Sequence, residues 1–211
     1  MEWKRARSSE QVEQRKGSIL TACEGLLSES RPHELKMRDV AQESGLAVGA
    51  IYRYFRSKEV LILSVYLNKM RDLLQDLSSY SPKEPGLDDF PEHMTKVYAK
   101  HKFFWYLSTY TGAILETNLT DDEVREHKNA AMEMTTLCIQ HLTQSIPEIG
   151  VDEIFNLFMD SFFYTCGLYP SAFPPNNIGK ILEEPELENF KPDWETSLRR
   201  MIKSLLAGRT L

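Results

Sequence analysis

The sequence predicts an all-α protein built from a small N-terminal and a larger C-terminal domain, and three observations carry that prediction. Apolar residues recur at amphipathic-helix spacing: Ile19, Cys23, Leu26 and Leu27 make one stripe, and Leu63, Tyr66, Leu67, Met70, Leu74 and Leu77 another. The strict alternation of a half-buried strand is nowhere sustained. A turn-rich break, "SYSPKEPGLDD" near residues 79–89, divides the helical patterns into two sets. With 211 residues, 42% of them hydrophobic, the chain is long enough to bury a substantial core. The expected domains are residues 12–71 and 80–211.

The first helix is expected between about Val12 and Glu29, ahead of Pro32. Next, "LKMRDVAQESGLAVGAIYRYF" reads as helix, glycine turn, helix. Helices of about two turns are unstable alone, so Val40, Ala41, Leu46, Ile51 and Phe55 must supply a small shared core. Ala41 permits close helix approach. Gly45 is placed to adopt positive φ and end the first helix of the pair. Ser57 then caps a long helix starting "KEVLIL", with Glu59 at the positive end of its dipole.

The second set of helices is expected at about Pro91 to Leu107, Tyr110 to Asn118, Asp121 to Gln144, Asp152 to Leu168 and Asp193 to Leu206. Thr120 and the three acids of "LTDDEV" mark the start of the third of these. "LYPSAFPPNNIGKILEEPELENFKP", with five prolines, is too long for a simple connector and reads as a flap holding one short helix or as a mobile loop.

Charge is divided unevenly. Through Arg71 the chain has 13 lysines and arginines against 9 acids, and beyond it 12 against 22. A basic head on an acidic body fits a polyanionic partner better than the net charge of −6 alone implies. Runs such as "VLILSVYL" are too short to cross a bilayer and the N-terminus lacks an apolar stretch of signal length, so the expected setting is cytoplasmic, with no membrane partner. Cys23, Cys138 and Cys166 lie within helical apolar patterns and read as small buried side chains. No phosphate-binding glycine loop, H-E-x-x-H, paired-cysteine zinc motif or nucleophile elbow is present. The expectation is therefore a protein that is not an enzyme, with no cofactor and no metal site.

The helix-turn-helix, about residues 37–55, supplies the positive reading. Val48, Gly49 and Ala50 open its second helix with so little bulk that backbone can approach base edges, and Val48 or the Ala50 methyl suits a thymine methyl. Arg53 is placed to hydrogen-bond guanine, Tyr52 and Tyr54 to reach phosphates, and Lys58 to pair its charge with the N–H groups of a helix start. Lys4, Arg5 and Arg7 form either an arm along the DNA backbone or a plain tail. A helical protein-interaction module whose basic head binds an acidic protein partner is the competing reading.

"MRDVAQESGLAVGAIYRYFRSKEVL" resembles the N-terminal DNA-binding domain of the TetR family, and the match extends over about residues 12–71. The resemblance implies a homodimeric transcription regulator, usually a repressor, whose helical C-terminal domain binds a small effector. Carried over residue by residue, it puts DNA contacts at Arg38, Val48, Gly49, Ala50, Tyr52, Tyr54 and Lys58, with Arg53 at a variable base-reading position. The sequence departs from the family pattern at Lys36, Met37 and Ala47, where hydroxyl caps are usual, so weaker capping is expected there.

A single short recognition helix spans few base pairs, so specificity calls for two copies on a pseudo-palindromic operator. The dimer helices are expected to be "VDEIFNLFMDSFFYTCGLY" and "DWETSLRRMIKSLL", through Ile154, Phe155, Phe158, Phe162, Trp194, Leu198, Met201, Ile202 and Leu205. Phe103, Phe104, Trp105, Tyr106 and Tyr110, with Met134, Phe163 and Tyr164, are candidates for an apolar or aromatic effector pocket, although simple core is the plainer role for such side chains. His101, His127 and His141 are candidate polar groups for it. His127 and His141, about 21 Å apart by helix rise, cannot share one metal.

Overall fold

A computed structural model of the chain describes residues 2–82 and 88–208, with side chains from Glu10 onward. Among the described residues there is helix and no strand. In chain order the helices are α1 Glu2–Glu29, α2 Met37–Glu43, α3 Val48–Ile51, α4 Lys58–Ser78, α5 Phe90–Lys100, α6 Lys102–Tyr110, α7 Asp121–Ser145, α8 Val151–Ala172, α9 Asn176–Ile181 and α10 Trp194–Ala207. The backbone of Lys4, Arg5 and Arg7 belongs to α1, while their side chains lie outside the described residues.

The chain forms two compact units. One takes the residues up to Asn68 together with Tyr110–His127; the other takes Lys69–Thr109 and the residues from Lys128 onward. The smaller unit thus draws in a segment from the middle of the chain, and α4 and α7 each begin in one unit and end in the other.

In the smaller unit, Ile19, Cys23 and Leu27 of α1 are buried, as are Met37, Val40, Ala41, Ile51, Phe55, Leu61 and Ile62. α2 packs on both α1 and α3, which is how helices this short persist. The segment expected as a helix from Tyr110 to Asn118 is a π turn, Thr111–Leu115, followed by a 3-10 turn, Glu116–Asn118. Beside it His127 is buried, its Nε2 3.6 Å from Glu116 Oε1 and its ring 5.6 Å from that of Tyr66. His141, later on the same helix, is exposed.

In the larger unit α10 packs against α5 and α8. The expected helix Pro91–Leu107 is broken at His101, whose backbone (φ −92, ψ 43) is not helical. The Nζ of Lys100 and Nε2 of His101 lie 2.5 and 2.7 Å from Asp76 Oδ2. Hydrogen bonds from Lys100 and then His101 hold the Asp76 carboxyl below its ordinary pKa. α8 runs four residues past its expected end, through exposed Pro170.

A buried hydroxyl relay ties α5 to α8. The Ser161 hydroxyl donates to the Phe158 carbonyl (2.8 Å), and its single proton is then used, so the Tyr98 hydroxyl, 2.8 Å away, is the donor to Ser161 Oγ. Thr165 donates to the Ser161 carbonyl at 2.6 Å, and burial drives the Tyr98 pKa well above its ordinary value. The Trp105 indole donates to the Tyr98 carbonyl at 3.0 Å. The cysteines are side chains of this kind of interior: burial raises all three thiols, Cys23 and Cys166 to about 12.

The apolar stripes expected to face a partner are largely core of the protomer itself. Ile154, Phe158, Trp194, Leu198, Met201 and Ile202 are buried within one chain, and Phe155, Phe162 and Leu205 are half-buried. The physical reason is that α10 is covered by α5 and α8, leaving Glu195, Thr196, Arg200, Lys203 and Ser204 outward. The pocket candidates also divide. Phe104 and Trp105 are fully buried and pack on each other and on Phe162, while Phe103, Tyr106, Tyr110 and Met134 are half-buried. Phe163 and Tyr164 are exposed on α8, Phe163 at 63%.

Candidate nucleic-acid interface

The site begins at the end of α2. Gly45 has φ +67, the one positive φ among the described residues. The Leu46 N–H donates to the Ala41 carbonyl (2.9 Å) and the Gly45 N–H to that of Gln42 (3.2 Å). This pair of bonds is the Schellman arrangement, and it uses two carbonyls that the helix end would otherwise leave open. The chain leaves at a fixed angle and enters α3 through extended Ala47 (φ −71, ψ 143).

α3 is a single regular turn that tightens toward its end. Ala50 and Ile51 donate to the Ala47 carbonyl, Arg53 to Ala50, and Tyr54 and Phe55 to Ile51. Ile51 and Phe55 therefore point into the core, and the remaining positions face out. Val48 and Tyr52 are 41% and 51% exposed; Gly49 and Arg53 are exposed too, and Ala50 and Tyr54 are half-buried. A Cβ on Gly49 would meet nothing within 4 Å, so the bare surface at this turn is open space. Neither Lys36 nor Ala47 supplies a side-chain cap, as their residue types require. Arg38 projects from α2, with Nε 3.4 Å from Asp39 Oδ1 in a pair open to solvent.

Two basic side chains have structural partners that spacing did not reveal. Lys58 Nζ donates to the His33 carbonyl at 2.9 Å, tying the start of α4 to the loop between α1 and α2. Arg56 is paired with Glu123 in the first turn of α7. Glu123 also accepts the Thr120 N–H and hydroxyl, both at 2.9 Å, and the backbone bond is the leading cause of its lowered pKa. The T-x-x-E spacing marks the capping box that holds Glu123 in place but carries no sign of its pair with Arg56. Ser57 caps α4 as its position predicts, its Oγ accepting the Val60 N–H at 3.2 Å.

Arg38 is thus exposed on α2, and the exposed surface of α3 and the turn after it carries Val48, Gly49, Tyr52 and Arg53, with Ala50 and Tyr54 half-buried. It combines donors, apolar contact points and open backbone, a mixture suited to a groove of duplex DNA.

Comparison with known proteins agrees with this reading. Residues 19–65 match the family described as bacterial regulatory proteins, tetR family, and residues 67–210 match the tetracyclin repressor-like C-terminal domain. Two curated relatives from Bacillus subtilis are similar in sequence: the uncharacterized HTH-type transcriptional regulator YerO, 34% identical over 27% of this chain and 25% of its own, and the fatty acid metabolism regulator protein, 30% identical over 27% of this chain and 29% of its own. The chain spans about a quarter of the length of these relatives. A solved TetR transcriptional regulator from Rhodococcus sp. RHA1 shares the fold, with a TM-score of 0.59 and 17% identity over 93% of this chain and 97% of that one. With its head and its body both matched, the chain belongs to the tetR family of bacterial regulatory proteins, a family of DNA-binding transcriptional regulators.

Proposed function

We propose that the chain is a ligand-responsive repressor that binds, as a homodimer, a pseudo-palindromic operator in the cytoplasm. The observation that carries this reading is the exposed face of α3, held at a fixed angle by the Gly45 turn. Val48, Gly49 and Ala50 approach base edges, Arg53 reads guanine, and Arg38, Tyr52 and Tyr54 take phosphates. Lys58 contributes through the charge it adds beside the His33 carbonyl.

The dimer seam falls on the outer strip of α8, where Phe155, Met159, Phe163 and Gly167 follow one another along the helix, rather than on the buried stripes of α8 and α10. An apolar or aromatic effector changes operator affinity by binding two head spacings unequally, with α4 as the connecting element. The test is operator binding across a salt series. Wild type weakens with a log–log slope of about −0.9 per phosphate neutralised. Arg53→Ala relaxes preference at one base pair, and Arg38→Ala weakens all duplexes alike. Wild-type affinity and preference in both variants would remove the assignment.

A further inference from the structure

The end of α8, the start of α6, the loop at 191–193 and the first turns of α10 border an open cleft of about 550 Å³ that none of the roles above uses. Lys102, Phe173, Lys191, Trp194, Glu195 and Arg199 are in its walls. That volume lies within the range of small-molecule sites. Trp194 packs edge-on to Tyr169 and, with ring centroids 5.3 Å apart, against Phe173. Its side chain is buried, at 5% exposure, yet its indole N–H donates to nothing among the described residues. A buried donor left open is costly, and an indole can only donate.

The charges in the wall point the same way. Arg199 is committed to Glu92, at 3.1 Å, and the Asp193 carboxylate is committed to the Thr196 N–H at 2.8 Å as the cap of α10. Lys102 has its Nζ 5.0 Å from the centre of the Phe173 ring, and neither it nor Lys191 is ion-paired with a described residue. Two ammonium groups without an ion pair, one of them resting over Phe173, and an open indole donor make a site short of acceptors. Only Glu195 offers an uncommitted negative charge against them.

We infer that this cleft binds a small anion carrying a flat apolar part, an aromatic carboxylate being the chemistry that fits. The carboxylate draws Lys102 off Phe173 and pairs with Lys102 and Lys191. Phe173, itself exposed, swings aside so that the ring stacks on Trp194 and an acceptor oxygen meets the indole N–H. The inference rests on the effector part of the proposed function only for its regulatory meaning. Binding is measured on the free protein without DNA, so the two fail separately.

The probes are 1-naphthoate, the neutral 1-naphthalenemethanol and the cationic 1-naphthylmethylammonium, titrated by calorimetry and by the indole N–H resonances of nitrogen-15-labelled protein. Trp194→Phe identifies the Trp194 resonance by removing it. The expected result is a naphthoate preference, a downfield shift of the Trp194 resonance, and affinity lowered on the order of ten-fold in the Lys102→Gln, Lys191→Gln double variant, with naphthalenemethanol unaffected. Both lysines are exposed, so the fold is retained. The inference is overturned by absence of naphthoate binding, by equal or tighter binding of the ammonium probe, by a Trp194 resonance that stays in place, or by naphthoate affinity unchanged in the double variant.

Discussion

The helix-turn-helix and the body around α10 meet the requirement for burial in opposite ways. α2 and α3, 7 and 4 residues long, bury Met37, Val40, Ala41 and Ile51 and leave most of their other side chains to solvent. α10 buries Trp194, Ser197, Leu198, Met201, Ile202 and Leu206 out of 14 residues and presents a polar outer side. The head is therefore held by few contacts and a special backbone angle, and its free surface is available to a partner. The body is held by extensive apolar packing, so its specificity resides in its polar exceptions, the Tyr98–Ser161 relay and the open Trp194 donor.

The largest expected effect tests the tight apolar packing of the body. Trp105→Ala removes a fully buried ring and its bond to the Tyr98 carbonyl, so urea unfolding should show a loss of about 3–5 kcal/mol. A loss below about 1 kcal/mol would mean that the body tolerates cavities and that the contrast with the head is misplaced.

Gly45→Ala comes next and addresses the head. A Cβ there meets nothing within 4 Å, so the cost is conformational alone, about 1–2 kcal/mol for a left-handed backbone. Gly45→Asn should recover part of it, since asparagine tolerates that region best. Thermal unfolding of both variants checks the order.

Asp193→Ala removes the side-chain cap of α10, with an expected loss of about 1 kcal/mol. The bond to Thr196 lowers the Asp193 pKa in the folded protein. Its contribution is therefore present above the unfolded carboxylate pKa and disappears as pH falls through the lower folded value. Wild type and variant should differ in stability at neutral pH and converge in strong acid.

The smallest effect is expected from Arg56→Ala. This side chain is mostly exposed, and its ion pair with Glu123 is open to screening. The melting temperature should move by about 2 °C at most, and about 0.5 M salt should erase the difference.

The head was legible in the sequence because its geometry depends on residues with few alternatives. Gly45 announced a positive φ, Ser57 a cap, and Lys36 and Ala47 the absence of caps, and each is found so. The body was less legible because an apolar stripe states that a face is covered without naming what covers it. Ile154, Leu198 and Ile202 carry the pattern of a dimer seam and lie in the protomer's own core, while Phe163 and Tyr164 carry the pattern of a pocket and are exposed. The breaks were harder still. The helix breaks at His101, which bonds to Asp76, 25 positions away in the chain, and Pro170 fails to interrupt one. Lys58 has a carbonyl partner, at His33, that no local spacing encodes.

The hydroxyl relay between α5 and α8 acts as a registration pin. Only the Tyr98–Ser161 bond crosses from α5 to α8; rotating α8 breaks it and leaves the buried phenol without its acceptor, while the Ser161 and Thr165 bonds to carbonyls lie within α8 and survive. Displacing one helix over the other therefore costs this hydrogen bond, which favours movement of the pair together. The non-helical step at His101 is fastened in the same way, by Asp76 and by the Trp105 indole bond that spans it, so a shape change in the larger unit is cheapest away from both places.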